Sequence, residues 1–222
     1  MFSVILFDLD GTLTDPEEGI TRCVNYALEQ LGLGTWERSQ LRCFIGPPLK
    51  EQFMEFCGIS EEQANLAVEK YRERYRDTGI FENRAYPGIA SLLEKLAGRG
   101  ARLALATSKP ELFARQILQA YGLIGYLEEA VGSELDGRRT DKAQVIEEAL
   151  RRMGVSREER GQVLMVGDRM HDIAGAKRCG VASLGVRFGY AQDGELEAAG
   201  ADWIVDTVEE LEEFLLRKSA PK

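Results

Sequence analysis

The sequence predicts an α/β protein whose parallel sheet core is interrupted, directly after its first strand, by a helical insert. Three observations carry that reading. Short apolar runs of strand length alternate with helical stretches, and no hairpin turns join them, as in a parallel sheet covered on both faces. Residues 16 to about 82 carry helical patterning without a strand signal, too long a stretch for an ordinary connection. The 222 residues suffice for one large domain or for a core with a smaller insert. The expected division is a core of 1–15 and 83–222 and an insert of 16–82.

Each element follows from its residues. Ser3 to Phe7 is a short apolar run closed by Asp and Gly, a buried strand. In "DPEEGITRCVNYALEQLGLG", Asp15 suits a cap, Pro16 the first helical position, and Glu17 and Glu18 the positive helix start. Ile20, Val24, Ala27, Leu28 and Leu31 then recur at helical spacing. "SEEQANLAVEKYRERYRDTG" is a second helix, with Ala64, Ala67, Val68, Tyr71 and Tyr75 on one stripe and Gly79 as its stop. Between them, "ERSQLRCF" and "LKEQFMEFCG" read as shorter helices flanking a Gly46-Pro47-Pro48 loop.

From residue 88 the pattern alternates. A helix over 88–98 precedes the strand "RLALATS", and a helix runs from Pro110 to about Tyr121. A third strand falls around Ala130 and Val131, followed by the helix "TDKAQVIEEALRRMG". "QVLMVGD" is a buried strand, "HDIAGAKRCG" a helix, "VASLGV" a strand, and "DWIVDTVEELEEFLL" a short strand with a closing helix.

Composition narrows the function. Hydrophobic content of 44% and charged content of 29% fit a soluble globular protein. A net charge of −9 argues against nucleic acid as partner, since that affinity rests on a basic surface. A local pocket or bound cation still permits a small anionic ligand. Cys23, Cys43, Cys57 and Cys179 lack CxxC spacing and read as reduced, buried thiols. "MFSVILF" is too short for a secretory apolar region. No apolar run approaches the ~20 residues that span a bilayer. The expectation is a cytoplasmic protein with no membrane partner, either monomer or homodimer.

In open parallel sheets ligands sit beyond the carboxyl ends of strands. Those ends carry Asp8 and Asp10 after the first strand, Thr107-Ser108-Lys109 after the second, and Gly167-Asp168-Arg169 after the fourth, with Asp172 one turn on. Lys142 lies near a helix start. Asp8 and Asp10 have the spacing that keeps two side chains on one face of an extended segment. With Asp168 they form an oxygen-rich cluster suited to a hard cation such as Mg²⁺, which would relieve their repulsion. Thr107 and Lys142 fit the equatorial oxygens of a phosphoryl group. A nucleophilic carboxylate beside a proton-holding one has the parts for phosphoryl transfer. His171, the only histidine, reads as a surface or helix-start residue, and Trp36 and Trp203 as packing residues.

"DLDGTLTD" resembles the first motif, DxDGT, of the haloacid dehalogenase (HAD) superfamily. "LALATSKP" looks like its second, Lys142 fits the third, and "VGDRMHDIAGAKRCG" is similar to the fourth, GDxxxD. The four occur in order from end to end. The insert resembles the type 1 cap of phosphoglycolate phosphatase-like members, so the implied fold is a HAD-like, Rossmannoid core with a helical cap domain.

The resemblance implies that Asp8 attacks phosphorus, while Asp10 protonates the leaving group and then activates water. Mg²⁺ would be held by Asp8, the Asp10 carbonyl and Asp168, with Asp172 in support. Thr107 and Lys142 would hold phosphoryl oxygens, helped by backbone N–H groups near Leu9, Gly11 and Ser108. Arg169 would brace Asp168 or the cap. The links Thr14-Asp15-Pro16 and Tyr86-Pro87-Gly88 would hinge. "FIGPPLK" resembles a specificity loop, making Arg42 and Lys50 candidates for an anionic leaving group. Asp10, absent from the dehalogenases, favours phosphate chemistry. The expected activity is hydrolysis of a small phosphate monoester, phosphoglycolate phosphatase-like. A 5′-nucleotidase, a pyrophosphatase and a β-phosphoglucomutase-like mutase are alternatives, with a phosphoacceptor signalling domain as the distant one.

Overall fold

The computed structural model describes residues 1–219. The chain divides into two compact units, Pro16–Arg84 and Met1–Asp15 together with the described residues from Ala85 onward.

The second of these holds six parallel strands: β1 (Val4–Phe7), β2 (Arg102–Pro110), β3 (Glu129–Ser133), β4 (Val163–Gly167), β5 (Ala182–Val186) and β6 (Trp203–Val205). Their order is β3-β2-β1-β4-β5-β6. Thus β1 is central, with Phe7 in register with Leu105 on one side and Val166 on the other. The sequence progresses outward in both directions from β1, and the reversal leaves a crevice at the strand ends, where such sheets bind ligands.

Helices cover the sheet. They are α4 (Ile89–Gly98), α5 (Glu111–Ala120), α6 (Lys142–Arg152), α7 (Met170–Cys179), α8 (Glu195–Ala199) and α9 (Val208–Lys218), with α1–α3 in the other unit. Side chains alternate along a strand. Val4 and Leu6 of β1 join Ala104, Val131, Val163 and Met165 on one face. That face packs against Val145, Ile146, Ala149 and Leu150 of α6 and Ala176 of α7. On α4, Leu92, Leu93 and Leu96 are buried, and Lys95 pairs with Glu212 of α9 at 2.6 Å.

The Pro16–Arg84 unit is helical: α1 (Glu17–Gln30), α2 (Leu49–Cys57) and α3 (Glu61–Asp77), with short 3₁₀ segments at Arg38–Phe44 and Gly79–Phe81. α1 buries Ile20, Cys23, Val24, Ala27 and Leu28. α3 buries Ala64, Ala67, Tyr71 and Tyr75, while Val68 is only half-buried. Ser60 caps α3 by accepting the Gln63 N–H at 3.3 Å. Arg38–Phe44 winds as 3₁₀ and buries Leu41 and Phe44, three apart and so on one face of such a helix.

Some expectations are corrected. The cap position of α1 is Pro16, which offers no side-chain acceptor, and the Asp15 carboxylate takes the Tyr190 hydroxyl instead. Cys23 and Cys179 are buried, whereas Cys43 and Cys57 are only half-buried. Trp36 and Trp203 do pack on aromatic rings but keep 43% and 36% exposure. No helix among the described residues is long and apolar enough to cross a membrane.

Ile146 is fully buried between α6 and the sheet, whereas Leu66 is 46% exposed. Ile146→Ala is expected to cost about 2–5 kcal/mol by lost burial and a residual cavity. Leu66→Ala should stay within about 0.5 kcal/mol. Urea unfolding midpoints of the two variants check this.

Candidate active site

The site is built where β1 and β4 end side by side. Asp8 continues the ladder, its N–H donating to Val166 O at 2.9 Å, and its side chain is buried. The chain then turns, with Leu9 O accepting the N–H groups of Thr12, Leu13 and Thr14 at 3.2, 2.9 and 3.0 Å. Gly11 has φ +79° and its N–H donates to Thr14 O at 2.7 Å. Expected as a phosphate donor, the Gly11 amide is therefore spent inside the turn. What the position requires is smallness, since a Cβ there would stand 2.1 Å from Asp168 Oδ2. The return crossing joins the same turn, the Tyr86 N–H donating to Leu13 O at 3.1 Å.

Lys142 opens α6, where Asp141 caps the helix by accepting from the Ala143 and Gln144 N–H groups at 3.0 and 3.3 Å. Its Nζ lies 2.9 Å from Asp8 Oδ1 and 2.7 Å from Asp172 Oδ1, and it donates to Ala106 O at 3.1 Å. Gly175 of α7 makes room for the stem: a Cβ there would stand 2.8 Å from Lys142 Cγ. Burial opposes the ammonium charge, but Asp172 and Asp8 outweigh it and raise its pKa above the ordinary value.

Asp168 follows β4, and Asp172 sits in the first turn of α7, where Oδ2 accepts the Arg169 N–H at 3.0 Å. Burial pushes the Asp172 carboxyl up to about 6 against the pull of Lys142, with Asp8 adding to the rise. Burial, then Asp172 and Asp8, push Asp168 well above the usual carboxylate range. Asp168 Oδ2 accepts the Tyr190 N–H at 2.8 Å, and its Oδ1 is buried without a hydrogen-bond partner among the described residues. Arg169 reaches Glu195 of α8 at 2.9 Å, tying two helix starts together.

Of the second strand's nominees, Thr107 is buried and its Oγ1 accepts the Lys109 N–H at 3.3 Å, while Ser108 is half-buried. The residue beside them went unnominated: Lys109 Nζ lies 2.5 Å from Asp10 Oδ2, with side-chain exposures of 7% and 11%. Burial raises the Asp10 pKa, and the attraction of Lys109 only partly opposes it. Gly189 and Tyr190 were also missed. A Cβ on Gly189 would stand 2.4 Å from both Gly11 O and Asp168 Cβ. The only trace of this brace in the sequence is the glycine of "RFGY" after the fifth strand.

The cluster belongs wholly to the sheet unit. Arg42 and Lys50 lie in the helical unit, where they pair with Glu17 at 2.9 Å and Glu61 at 2.5 Å. His171 is exposed near the start of α7.

Asp8, Asp168 and Asp172 each present a carboxylate oxygen within 4.8 Å of the other two, and all three are buried. Three acids face one lysine, and Asp168 Oδ1 is left without a hydrogen. A hard, oxygen-seeking divalent cation fits this donor set. The Asp10 carboxylate is not part of the trio; it faces Lys109.

Comparison with known proteins identifies the family. A family described as haloacid dehalogenase-like hydrolase matches residues 5–186. A 5′-nucleotidase of Pseudomonas aeruginosa is 50% identical over 87% of this chain and 86% of its own. Tyrosine-protein kinase PtkA of Mycobacterium tuberculosis is 35% identical over 96% of this chain and 72% of its own. Phosphoglycolate phosphatases are among the further relatives. The crystal structure of a predicted phosphatase from Clostridium acetobutylicum superposes with a TM-score of 0.92 at 41% identity, covering 98% of this chain and 99% of that one. The match over residues 5–186 and these relatives show that the chain belongs to the haloacid dehalogenase-like hydrolase family and is a phosphatase of that family.

Proposed function

We propose that the protein is a Mg²⁺-dependent phosphomonoesterase that hydrolyses nucleoside 5′-monophosphates through an aspartyl-phosphate on Asp8. The observation that carries the chemistry is the buried cluster itself, in which Asp8 is held by Lys142 at 2.9 Å and Asp10 stands two residues along with a separate lysine. The half-identical relative named a 5′-nucleotidase supports the choice of ester among those the site would accept.

An Asp8 oxygen attacks phosphorus as the bond to the ester oxygen breaks, and the Asp10 carboxyl gives its proton to the departing alkoxide. Asp10, now ionised, takes a proton from water, whose oxygen displaces the Asp8 carboxylate and releases inorganic phosphate. Lys142 screens charge beside the attacked phosphorus, and Thr107 supplies a hydroxyl at the end of β2. Asp8, Asp168 and Asp172 would hold Mg²⁺, which when bound offsets the negative charge on carboxylates and phosphoryl oxygens. In a mutase the same intermediate passes its phosphoryl group to a sugar rather than to water, so free phosphate separates the two.

Phosphate release from nucleoside monophosphates, phosphoglycolate, sugar phosphates and pyrophosphate, with and without Mg²⁺, is the direct test. Release is expected only with metal and fastest from nucleoside 5′-monophosphates. Asp8→Asn should lower it by about 10³-fold or more, as loss of a nucleophile does. Release without metal, or untouched in Asp8→Asn, would refute the mechanism; preference for another ester would refute the substrate alone.

Thermal melting gives a readout independent of turnover. A ligand at about 100 times its Kd stabilises by about 2.7 kcal/mol, and a protein of this size gains about 2–4 °C per kcal/mol. Mg²⁺ is thus expected to raise the melting temperature by several degrees. In Asp168→Asn that rise should vanish, while the metal-free variant melts no lower than the metal-free parent, because a neutral amide removes repulsion. An equal Mg²⁺ shift in the variant would exclude Asp168 as a ligand.

A further inference from the structure

We propose that Lys109 is a positioning residue for Asp10, holding one oxygen of that carboxyl so that the other serves the leaving group. The inference rests on the phosphatase reading and gives a role to a residue that neither the strand-end reasoning nor the resemblance assigned one.

The first support is a division of labour between the two oxygens. Asp10 Oδ2 lies 2.5 Å from Lys109 Nζ. Asp10 Oδ1 is buried with no hydrogen-bond partner among the described residues. A carboxyl gripped at one oxygen cannot rotate freely, so the proton-bearing position is fixed before substrate arrives. Such preorganisation is what positioned acid–base groups need.

The second support is that the backbone is shaped to deliver Lys109. Ala106 pairs with Val131 and Pro110 with Ser133, so four steps along β2 match two along β3. Such a bulge re-aims side chains and recurs beside active sites. Residues 107 to 109 fill it, and the Lys109 N–H closes onto Thr107 Oγ1 at 3.3 Å. Across the bulge Gly132 permits the approach: a Cβ there would stand 2.4 Å from Lys109 O and 2.7 Å from Glu111 N. The two lysines thus divide the two acids, Lys142 to Asp8 and Lys109 to Asp10.

The test uses leaving groups of different need. p-Nitrophenolate departs without a proton, whereas the alkoxide of a nucleoside monophosphate does not. kcat/KM reports the step in which the ester bond breaks, so it isolates leaving-group protonation from later water attack. Lys109→Met is expected to lower kcat/KM for a nucleoside 5′-monophosphate by about 10–100-fold, a part of the usual 10²–10⁴-fold worth of acid–base catalysis. For p-nitrophenyl phosphate the loss should be under about 3-fold, with KM for both esters little changed. Lys109→Arg, which keeps a cation within reach, should recover most of the difference, and Lys109→Gln supplies the comparison if the methionine variant fails to fold.

Equal losses on both esters, or a loss carried by KM, would overturn the role, because a structural or phosphate-binding lysine does not sense the leaving group. Asp8→Asn measured alongside separates the layers. If it is inactive while Lys109→Met treats both esters alike, only the Lys109 role falls; if it stays active, the mechanism falls and the role with it.

Discussion

The site depends on one costly arrangement, the Lys142 ammonium buried between Asp8 and Asp172. A buried charge is tolerated only when paired and hydrogen-bonded, and removing one partner leaves an uncompensated ion. Lys142 meets three oxygens, from Asp8, Asp172 and the Ala106 carbonyl. Those oxygens come from three elements, β1, α7 and β2, so the fold must bring all three to one point. That requirement fixes where α6 begins, why position 175 carries no side chain, and why β1 lies between β2 and β4.

Strand order makes the convergence possible. Only the central strand of a β3-β2-β1-β4-β5-β6 sheet has neighbours whose connections depart in opposite directions. The acids of β1 therefore receive a lysine from the β2 end and two further acids from the β4 end without any long loop. Gly11 and Gly189 let the backbone close around Asp168. The result is three buried acids around one lysine, with Asp168 Oδ1 lacking a hydrogen-bond partner among the described residues.

Most of the fold was legible because burial writes itself into periodicity. All six strands and the main helices of both units stand out as short apolar runs or 3.6-residue stripes. Asp8, Asp10, Thr107, Lys142, Asp168 and Asp172 were legible because each sits at a strand end or helix start, in a spacing the motifs describe. Lys109 carries no such signal, since its partner lies 99 residues away and meets it only through a bulge that no periodicity announces. Tyr190 left no signal because it holds Asp168 with its main-chain N–H, which almost any residue could supply. Arg42 and Lys50 were ambiguous for another reason. Exposed cations serve solubility and surface pairing in the same residue types that bind anions, and both are found beside acids.

Two chemically identical carboxyls, two residues apart, stand in different surroundings. Asp8 shares its lysine with Asp172 and is itself one of the three clustered acids. Asp10 is turned from that trio to a lysine on the neighbouring strand, and burial raises its pKa despite that lysine. A carboxyl that holds its proton more readily than usual, yet is gripped on one side, is suited to give that proton up and take another in a single orientation. The difference between the two acids is therefore a consequence of which strand end each one faces.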